Sequence, residues 1–338
     1  MELKEYLVDV PVKINIWIRP DCQRKQFQVL QQARPSILFL VSDGGRNKEE
    51  QEIIKKNRQM YEEGIDWKCV IYKLYEETNQ GMYAMAKKEM ELVWSKVDRC
   101  IFLEDDILPS VSYFQYCQEM LEKYKDDERV GLVCGMNHLG IYKDATSDYF
   151  FSKSGSIWGV AMWKRSYENY YHFNYYKDPY IMKLLKSAMK ENKKLWEVAK
   201  KYAIKEYYNN HIAGDEFFLG FSVYGYSQLR IIPKYNLISN IGCTKEAAHS
   251  TEYKLLPHGI RRVFNMKTYE LEFPLKHPEY IIPDKFYKKK EDRIMANNMP
   301  IISGFRWVEG VLLKIRYGQF RSGLKRWFIR ILGKARER

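Results

Sequence analysis

The sequence predicts an α/β fold with a Rossmann-like, mostly parallel twisted sheet flanked by helices. Apolar strand-like runs alternate with segments of helical spacing from about residue 10 to residue 110. Strands separated by helices form parallel sheets, because each helix returns the chain to the same edge. Polar residues follow several of these runs, and ligands of such sheets bind at the carboxyl ends of the strands. With 338 residues, 46% of them hydrophobic, the chain can build a large core.

The first hundred residues supply the elements of this sheet in order. Strands are predicted at residues 12–18, 36–41, 67–74 and 99–103, and helices at 22–32, 49–63 and 81–97. The run Ser36–Val41 is continuous and apolar, which is typical of a strand buried on both faces. It stops at Ser-Asp-Gly-Gly, a turn sequence.

The second half of the chain is less regular after a helix at 111–124 and a strand at 130–135. Four later segments differ in composition: a Gly-, Ser- and aromatic-rich strand–loop–strand at 148–163, a lysine-rich helical insertion within 178–212, an aromatic and β-branched alternation at 216–232, and a loop-rich stretch with five prolines at 250–300. The strand–loop–strand is predicted to shape a pocket.

Three consecutive carboxylates, Glu104, Asp105 and Asp106, end the apolar run 101–103. Adjacent carboxylates repel one another, so the triplet favours a divalent cation or a cationic or hydroxyl-rich ligand between them. Mg²⁺ and Mn²⁺ take carboxylate and diphosphate oxygens together. The alternative is a helix start whose acids suit the helix dipole. Because Arg19 and Asp43 also follow predicted strands, we expect these polar groups to converge on one crevice.

Six short segments resemble GT-A fold glycosyltransferases, in particular bacterial HlpA-like nucleotide-diphospho-sugar transferases and, more distantly, the N-acetylglucosaminyltransferase I group. They occur in family order between about residues 10 and 255: IWIRP at 16–20, LVSDG at 40–44, NQG at 79–81, LEDDILPS at 103–110, IWGVAMWKR at 157–165 and NLISNIG at 236–242. The resemblance implies a GT-A catalytic domain over residues 1–255, with a nucleotide-binding half at about 10–110 and an acceptor half at about 111–255.

The resemblance also implies roles for the polar residues at the strand ends. Glu104–Asp106 would be a variant DXD motif, with Asp106 the direct ligand of Mn²⁺ or Mg²⁺. Asp105 would lie toward the ribose and Glu104 toward the donor sugar. Arg19 and Asp43 would hold the uridine end of a UDP-sugar, with Asp43 accepting the uracil N–H. A plain Asp-Gly turn is the alternative for Asp43.

Four further residues would line the donor or acceptor pocket, each with a structural alternative. Asn79 and Gly81 would contact the donor, or form a helix-start turn. Trp158 would stack on a sugar, or be a core residue. His249 could reach the diphosphate or the metal, although a lone histidine is more often structural.

Inverting transfer requires a base that takes the proton from the acceptor hydroxyl. The position that fits the family is Asp215, with Glu216 in reserve. Family members usually have Trp-Asp here, whereas this chain has Gly214 before Asp215. A helix N-cap is the alternative role for Asp215.

The net charge of +13 is concentrated at the C-terminus. Residues 301–338 hold ten basic and two acidic side chains, a net charge of +8, and follow a loop-rich wrap at 256–300. Apolar residues recur at helical spacing between the charges, which predicts a basic amphipathic tail on an anionic membrane. A helix packed on the domain with a solvated basic face is the alternative. A local patch of this kind does not indicate a nucleic-acid-binding surface.

These observations predict a metal-dependent, inverting glycosyltransferase that uses a UDP-sugar and a glycan or lipid-linked acceptor, such as capsule or lipopolysaccharide. The six scattered cysteines and the polar N-terminus predict a reduced cytoplasmic protein without a secretory signal, peripheral on the inner membrane face. A nucleotidyltransferase shares the acidic site, but residues 10–35 lack the glycines of its phosphate loop. A non-enzymatic nucleic-acid- or anion-binding protein would leave the acidic triplet without a purpose.

Overall fold

The computed structural model describes residues 3–171, 175–202, 215–243 and 253–318. The strands found in these ranges are β1 (Val8–Asn15), β2 (Pro35–Ser42), β3 (Val70–Tyr75), β4 (Arg99–Leu103), β5 (Ile107–Pro109), β6 (Val130–Cys134), β7 (Tyr149–Ser152), β8 (Val160–Trp163), β9 (Leu229–Pro233) and β10 (Ile238–Asn240). The helices are α1 (Pro20–Ala33), α2 (Lys48–Gly64), α3 (Met82–Trp94), α4 (Ser112–Lys123), α5 (Lys164–Tyr171), α6 (Pro179–Ala188), α7 (Lys193–Tyr202), α8 (Asp215–Gly225), α9 (His258–Arg261), α10 (Lys285–Met295) and α11 (Pro300–Arg316).

Within the described ranges, eight strands form one sheet in the order β3-β2-β1-β4-β8-β6-β9-β7, and β5 pairs with β10 in a second sheet. Strands β1 to β4 are parallel to their neighbours in this group, and β6 is parallel to β9. Strands β7 and β8 run antiparallel to theirs. The predicted fold class, α/β with a mostly parallel sheet flanked by helices, is confirmed.

Both faces of the sheet are buried, which explains the continuous apolar run of β2. Leu38 and Leu40 pack in one core cluster with Phe27 of α1. Phe39 points to the opposite face and packs in a second cluster with Trp94 of α3. Successive strand residues face opposite sides, so a strand covered by helices on both sides is apolar throughout.

Strand β1 occupies Val8–Asn15 rather than the predicted residues 12–18. The Ile16 N–H still donates to the Val41 carbonyl at 2.7 Å, but the chain then turns into α1. The first residue of α1 is Pro20. Proline is favoured there because its fixed φ suits a helix and it has no N–H to satisfy. The turn places Arg19 at the carboxyl end of β1.

The alternating pattern at residues 216–232 is mostly a helix, since α8 extends to Gly225 and only β9 is a strand. The reason is that α8 has apolar neighbours on two sides. Phe217 and Phe221 pack in a cluster with residues of the helical insertion, whereas Leu219 packs against the sheet. A helix with apolar residues on several faces shows no single-face period.

The stretch 256–300, predicted to be loop-rich, contains the helices α9 and α10. Leu271 and Leu275 are buried in the main core. The Glu270 carboxylate accepts the N–H groups of Val111 and Ser112 at 3.0 and 2.7 Å, at the start of α4. A negative charge is favourable at a helix N-terminus. The helix α11 follows, and within the described ranges no helix is long and apolar enough to span a membrane.

Candidate active site

The acidic turn, Glu104–Asp106, follows the carboxyl end of β4 directly. Leu103 of β4 pairs with Ile14 of β1, so the turn emerges beside the end of β1. The chain re-enters a strand at Ile107, whose N–H donates to the Glu104 carbonyl at 3.2 Å. The acidic turn therefore connects the main sheet to the small β5–β10 sheet, at the edge where ligands of parallel sheets bind.

Two buried glutamines of α1 hold the backbone of the acidic turn. The Gln26 amide donates to the carbonyls of Glu104 and Ile107 at 2.8 and 2.7 Å, and the Gln23 amide donates to that of Asp105 at 3.2 Å. The two side chains are 1% and 0% exposed. Neither glutamine is among the site residues predicted from the sequence, although polar side chains on the apolar face of a predicted helix were a signal.

The structure brings Arg19, Asp105 and Asp106 together. Arg19 Nη1 lies 3.1 Å from Asp105 Oδ1 and 2.6 Å from Asp106 Oδ2. The three side chains are only 9%, 14% and 13% exposed. Water therefore screens these charges weakly, and removal of one partner would leave an uncompensated buried charge.

The other side of Asp106 is closed by the segment after β10. The Ile241 N–H donates to the Asp106 carbonyl at 2.9 Å. A Cβ atom at Gly242 would lie 1.9 Å from Asp106 Oδ2 and 2.4 Å from Asp106 Cβ, distances at which something must shift. Gly242 is thus required for the observed position of the Asp106 carboxylate, and the sequence alone does not reveal this role.

The two aspartates carry raised pKa values. Burial raises the pKa of Asp105 to about 7; Arg19 opposes the shift and the charge of Asp106 adds to it. Burial also raises the pKa of Asp106, against the charge of Arg19 and the hydrogen bonds from Arg19 and Asn240. A single guanidinium therefore does not keep both carboxylates ionised near neutral pH, and an added cation would favour the ionised pair.

We expect the stability of the protein to fall relative to an Asp105→Asn variant as pH rises from 5 to 8. The protonated acid is preferred in the folded state, so its contribution is present below the unfolded-state pKa, near 3.8, and is lost as pH rises through about 7. The change between pH 5 and 8 is at most about 3 kcal/mol, because about two pKa units of the shift lie within this range. Urea unfolding in EDTA at both pH values measures it, with the exposed Asp21→Asn as control. An equal pH dependence in protein and Asp105→Asn would contradict it.

Asp43 forms a second group, with Asn79 and Gly81. Asp43 Oδ1 accepts the N–H groups of Gly44 and Gln80, each at 2.8 Å. Asp43 Oδ2 accepts the Gly81 N–H at 2.9 Å and the Asn79 amide at 3.0 Å. The carboxylate thus ties the end of β2 to the residues that precede α3. This is the turn role considered for Asp43 and the helix-start role considered for Asn79 and Gly81.

Arg58 holds the backbone next to this second group. It is not among the site residues predicted from the sequence. Its Nη2 atom donates to the carbonyls of Ser42, Asp43 and Glu76 at 3.2, 3.2 and 2.7 Å. The side chain is 8% exposed. Its position four residues after the buried Ile54 of α2 was the available signal. Arg58 therefore fixes the carboxyl ends of β2 and β3 relative to each other.

The loop before β8 lies against the strand that follows the acidic turn. A Cβ atom at Gly159 would come within 2.5 Å of Ile238 and 3.3 Å of Ile107. Trp158 is half-buried, and its ring centroid lies 5.1 Å from that of Phe264. The predicted pocket loop is therefore close to the acidic turn, while the Trp158 ring is partly engaged in packing.

Three predicted site residues lack a described side chain. Asp215 is the first residue of α8, and Glu216 follows it, but the structure describes only their backbone. His249 lies outside the described residues altogether.

The acidic pair fits a cation that is shared with a diphosphate. Across the described ranges, no group of three or more His, Cys, Asp and Glu side chains is arranged for a metal ion. Within the same ranges, Asp105 Oδ2 and Asp106 Oδ1 are buried without a hydrogen-bond partner. Mg²⁺ is usually bound through one or two carboxylates together with substrate phosphates. Two free carboxylate oxygens match that requirement.

Comparison with known proteins finds distant structural similarity. No protein-family model and no curated protein matches the sequence. Similar solved structures include a 4-diphosphocytidyl-2C-methyl-D-erythritol synthase of Anaerococcus prevotii (12% identity, TM-score 0.35, 69% of this chain and 89% of that one). Others are mouse xyloside xylosyltransferase 1 (11%, 0.34, 66% and 84%) and a UDP-glucose pyrophosphorylase complexed with UDP-glucose (8%, 0.33, 69% and 93%). With TM-scores below 0.5, these similarities carry no conclusion about activity.

Proposed function

We propose that this protein is a metal-dependent, inverting glycosyltransferase that moves a sugar from a UDP-sugar to a hydroxyl of a bacterial surface glycan. The observation that carries the proposal is the buried pair Asp105 and Asp106, held with Arg19 at the carboxyl end of β4. Oxygen ligands for a cation and a guanidinium donor for phosphate oxygens thus lie side by side. The ordered segments that resemble GT-A glycosyltransferases support the same function.

In this proposal the three acids have different roles. Asp106 holds Mn²⁺ or Mg²⁺, Asp105 lies toward the ribose, and Glu104 lies toward the donor sugar. A bound cation neutralises the diphosphate and stabilises the UDP leaving group. Arg19 donates hydrogen bonds to phosphate oxygens, where they strengthen as negative charge develops on the leaving group.

The uridine end of the donor is proposed to bind between Arg19 and Asp43, with Asn79 and Gly81 in the pocket wall. Asp43 already accepts four hydrogen bonds, so contact with the uracil N–H requires exchange with one of these donors. The Asn79 amide, a side-chain donor, can be exchanged without moving the backbone. Trp158 is proposed as a sugar-facing wall, and His249 as a diphosphate contact.

The proposed base is Asp215, with Glu216 as the reserve candidate. The carboxylate takes the proton from the acceptor hydroxyl as that oxygen attacks the donor sugar. Both residues stand at the first turn of α8, whose Phe217 and Leu219 are anchored in two apolar clusters. Because α8 is packed on two sides, its first turn has a fixed position, as a catalytic group requires.

A thermal-shift screen of nucleotide-sugars with Mn²⁺ tests the function. We expect UDP-sugars to raise the melting temperature in Mn²⁺ and to have little effect in EDTA, because the diphosphate and the cation share one site. A ligand at 100 times its Kd adds about 2.7 kcal/mol of stability. GDP- and CMP-sugars serve as controls for recognition of the uracil ring. An equal shift in EDTA, or none with any nucleotide-sugar, would contradict the proposal.

A nucleotidyltransferase is the second candidate, because two buried carboxylates also suit a cation bound to a nucleoside triphosphate. The two reactions release different products: UDP in sugar transfer, and pyrophosphate in nucleotidyl transfer. Residues 10–35 contain no glycine, which counts against a glycine-rich phosphate loop at the N-terminus. Detection of the released product with each substrate separates the two activities.

We also propose that residues 301–338 contact an anionic membrane at its cytoplasmic face, and that the acceptor is lipid-linked. In α11 an apolar stripe, between 47% and 74% exposed, follows i, i+4, i+7 spacing along one face: Ile301, Phe305, Val308, Leu312 and Ile315. The opposite face meets the protein, where Arg306 donates to the Ile294 carbonyl at 2.5 Å. The stripe and the basic residues that follow it in the sequence match an interfacial helix.

Vesicle flotation tests the membrane contact. We expect the protein to float with vesicles containing anionic lipid. A Phe305→Ser/Leu312→Ser variant should float at least about tenfold less, because the face that enters the membrane loses apolar area. Lys289→Ser/Lys290→Ser in α10 is a control for general charge. Failure of the unmodified protein to float, together with a dimer in solution that the variant lacks, would assign the stripe to a second copy of the chain.

A further inference from the structure

The Arg19 guanidinium lies between Asp105 and Asp106 and contacts both carboxylates. One atom, Arg19 Nη1, serves both carboxylates, at 3.1 and 2.6 Å. Among the described residues, the guanidinium makes no other hydrogen bond. Within the described part of the chain, the two acids are thus the side-chain partners of the guanidinium.

The arrangement leaves three buried polar atoms unsatisfied. Within the described part of the chain, Arg19 Nε, Asp105 Oδ2 and Asp106 Oδ1 have no hydrogen-bond partner. Each such atom carries a desolvation penalty that no hydrogen bond offsets. Two of the atoms are carboxylate oxygens, which suit a cation, and the third is an N–H donor. A cation and a phosphate that arrive together would satisfy all three.

We propose that Arg19 is a resident counter-ion that moves from the two aspartates to the diphosphate of the donor, so that metal and nucleotide bind cooperatively. The inference rests on the proposed function, because the diphosphate is the group that receives Arg19. Without nucleotide, Arg19 competes with the metal for the carboxylates. With nucleotide, the guanidinium is bound elsewhere and the carboxylates are available.

Electrostatics explains why the exchange requires the diphosphate. The guanidinium cannot lose its proton in a protein, so its positive charge remains wherever it goes. Two positive ions close together in a weakly screened site repel each other strongly. A diphosphate between them is negatively charged and attracts both the guanidinium and the metal ion, which offsets their mutual repulsion. Coupling of this kind is reciprocal, so the nucleotide must strengthen metal binding by the same factor as the metal strengthens nucleotide binding.

Mn²⁺ titration followed by electron paramagnetic resonance tests the inference. For the unmodified chain at pH 8, we expect UDP to tighten Mn²⁺ binding by at least about tenfold, within the usual range of coupling between sites. For Arg19→Met, Mn²⁺ alone should bind at least about tenfold tighter than to the unmodified chain, because its competitor is gone. UDP should then tighten Mn²⁺ binding much less. Arg24→Met, an exposed arginine of α1, should behave like the unmodified chain.

Each result supports or overturns the exchange. Equal or weaker binding of Mn²⁺ alone to Arg19→Met would overturn it, since a supporting residue, unlike a competitor, weakens the site when removed. If Arg19→Met does not fold, two measurements of Mn²⁺ binding decide the matter. One is made on Arg19→Lys, which keeps the charge, and the other is the effect of UDP on the unmodified chain. If UDP does not bind at all, the proposed function fails, while the comparison of nucleotide-free Mn²⁺ affinities still tests the counter-ion role.

Discussion

Replacement of Asp106 by alanine is expected to lower Mn²⁺-dependent turnover of a UDP-sugar by about 10³-fold, the usual scale for loss of an electrostatic contact to the reacting group. Asp106 is the proposed metal ligand and is the closer partner of Arg19, at 2.6 Å. The variant therefore loses a ligand for the cation and leaves Arg19 with Asp105 alone. Steady-state rates of UDP release, measured across Mn²⁺ concentrations, give the effect.

The loss of turnover should result from the missing charge of Asp106 and not from its missing volume. Asp106→Asn keeps the side-chain shape beside Gly242 and is expected to lose turnover to a similar extent. Asp21→Ala, an exposed acid at the start of α1, is the matched control and should keep full activity. Thermal melts of each variant exclude unfolding as the cause. Unchanged turnover and unchanged metal dependence in Asp106→Ala would remove the metal assignment.

Asp215→Asn is expected to lower kcat by about 10²–10⁴-fold while the KM for the UDP-sugar changes little, because a missing base affects proton transfer and not donor binding. This variant also separates the two roles of Asp215. Asparagine caps a helix as well as aspartate does, so a residue that only caps α8 would lose neither stability nor activity. Initial rates with saturating acceptor provide the measurement.

Glu216→Gln is the matched comparison, one residue along the same helix turn. We expect it to retain most of the activity. The reverse result, a full loss in Glu216→Gln with normal rates in Asp215→Asn, would move the base by one residue. Normal rates in both variants would exclude an essential base at the start of α8.

Local structure was predictable where one physical signal dominated. The strand at residues 99–103 was predicted with the bounds that β4 has, because its apolar run ends abruptly in charged residues. The strand–loop–strand at 148–163 was also correct, as β7 and β8. The alternation noted at 216–232 did not indicate which element forms there: the structure has α8 and β9, and α8 shows no single-face period because it is packed from two sides.

The candidate site was predictable as a set of residues but not as a set of contacts. Strand ends placed Arg19, Asp43 and the acidic turn at one edge of the sheet. The structure divides them: Arg19 pairs with Asp105 and Asp106, whereas Asp43 bonds the segment before α3. Which strand ends meet depends on the packing of α1 and α3, and no local pattern encodes it.

The sequence by itself determined the α/β class, the position of the acidic turn and the residue types that suit a cation and a diphosphate, since each follows from short-range periodicity and charge. The tertiary structure decided that Arg19 pairs with the two aspartates, that Gln23 and Gln26 hold the backbone of the acidic turn, and that Gly242 leaves room for Asp106. Gly242 lies far from the aspartates in sequence, and only the pairing of β5 with β10 brings it to them. Burial at that junction raises the pKa of both acids, which is why a cation or a guanidinium belongs there.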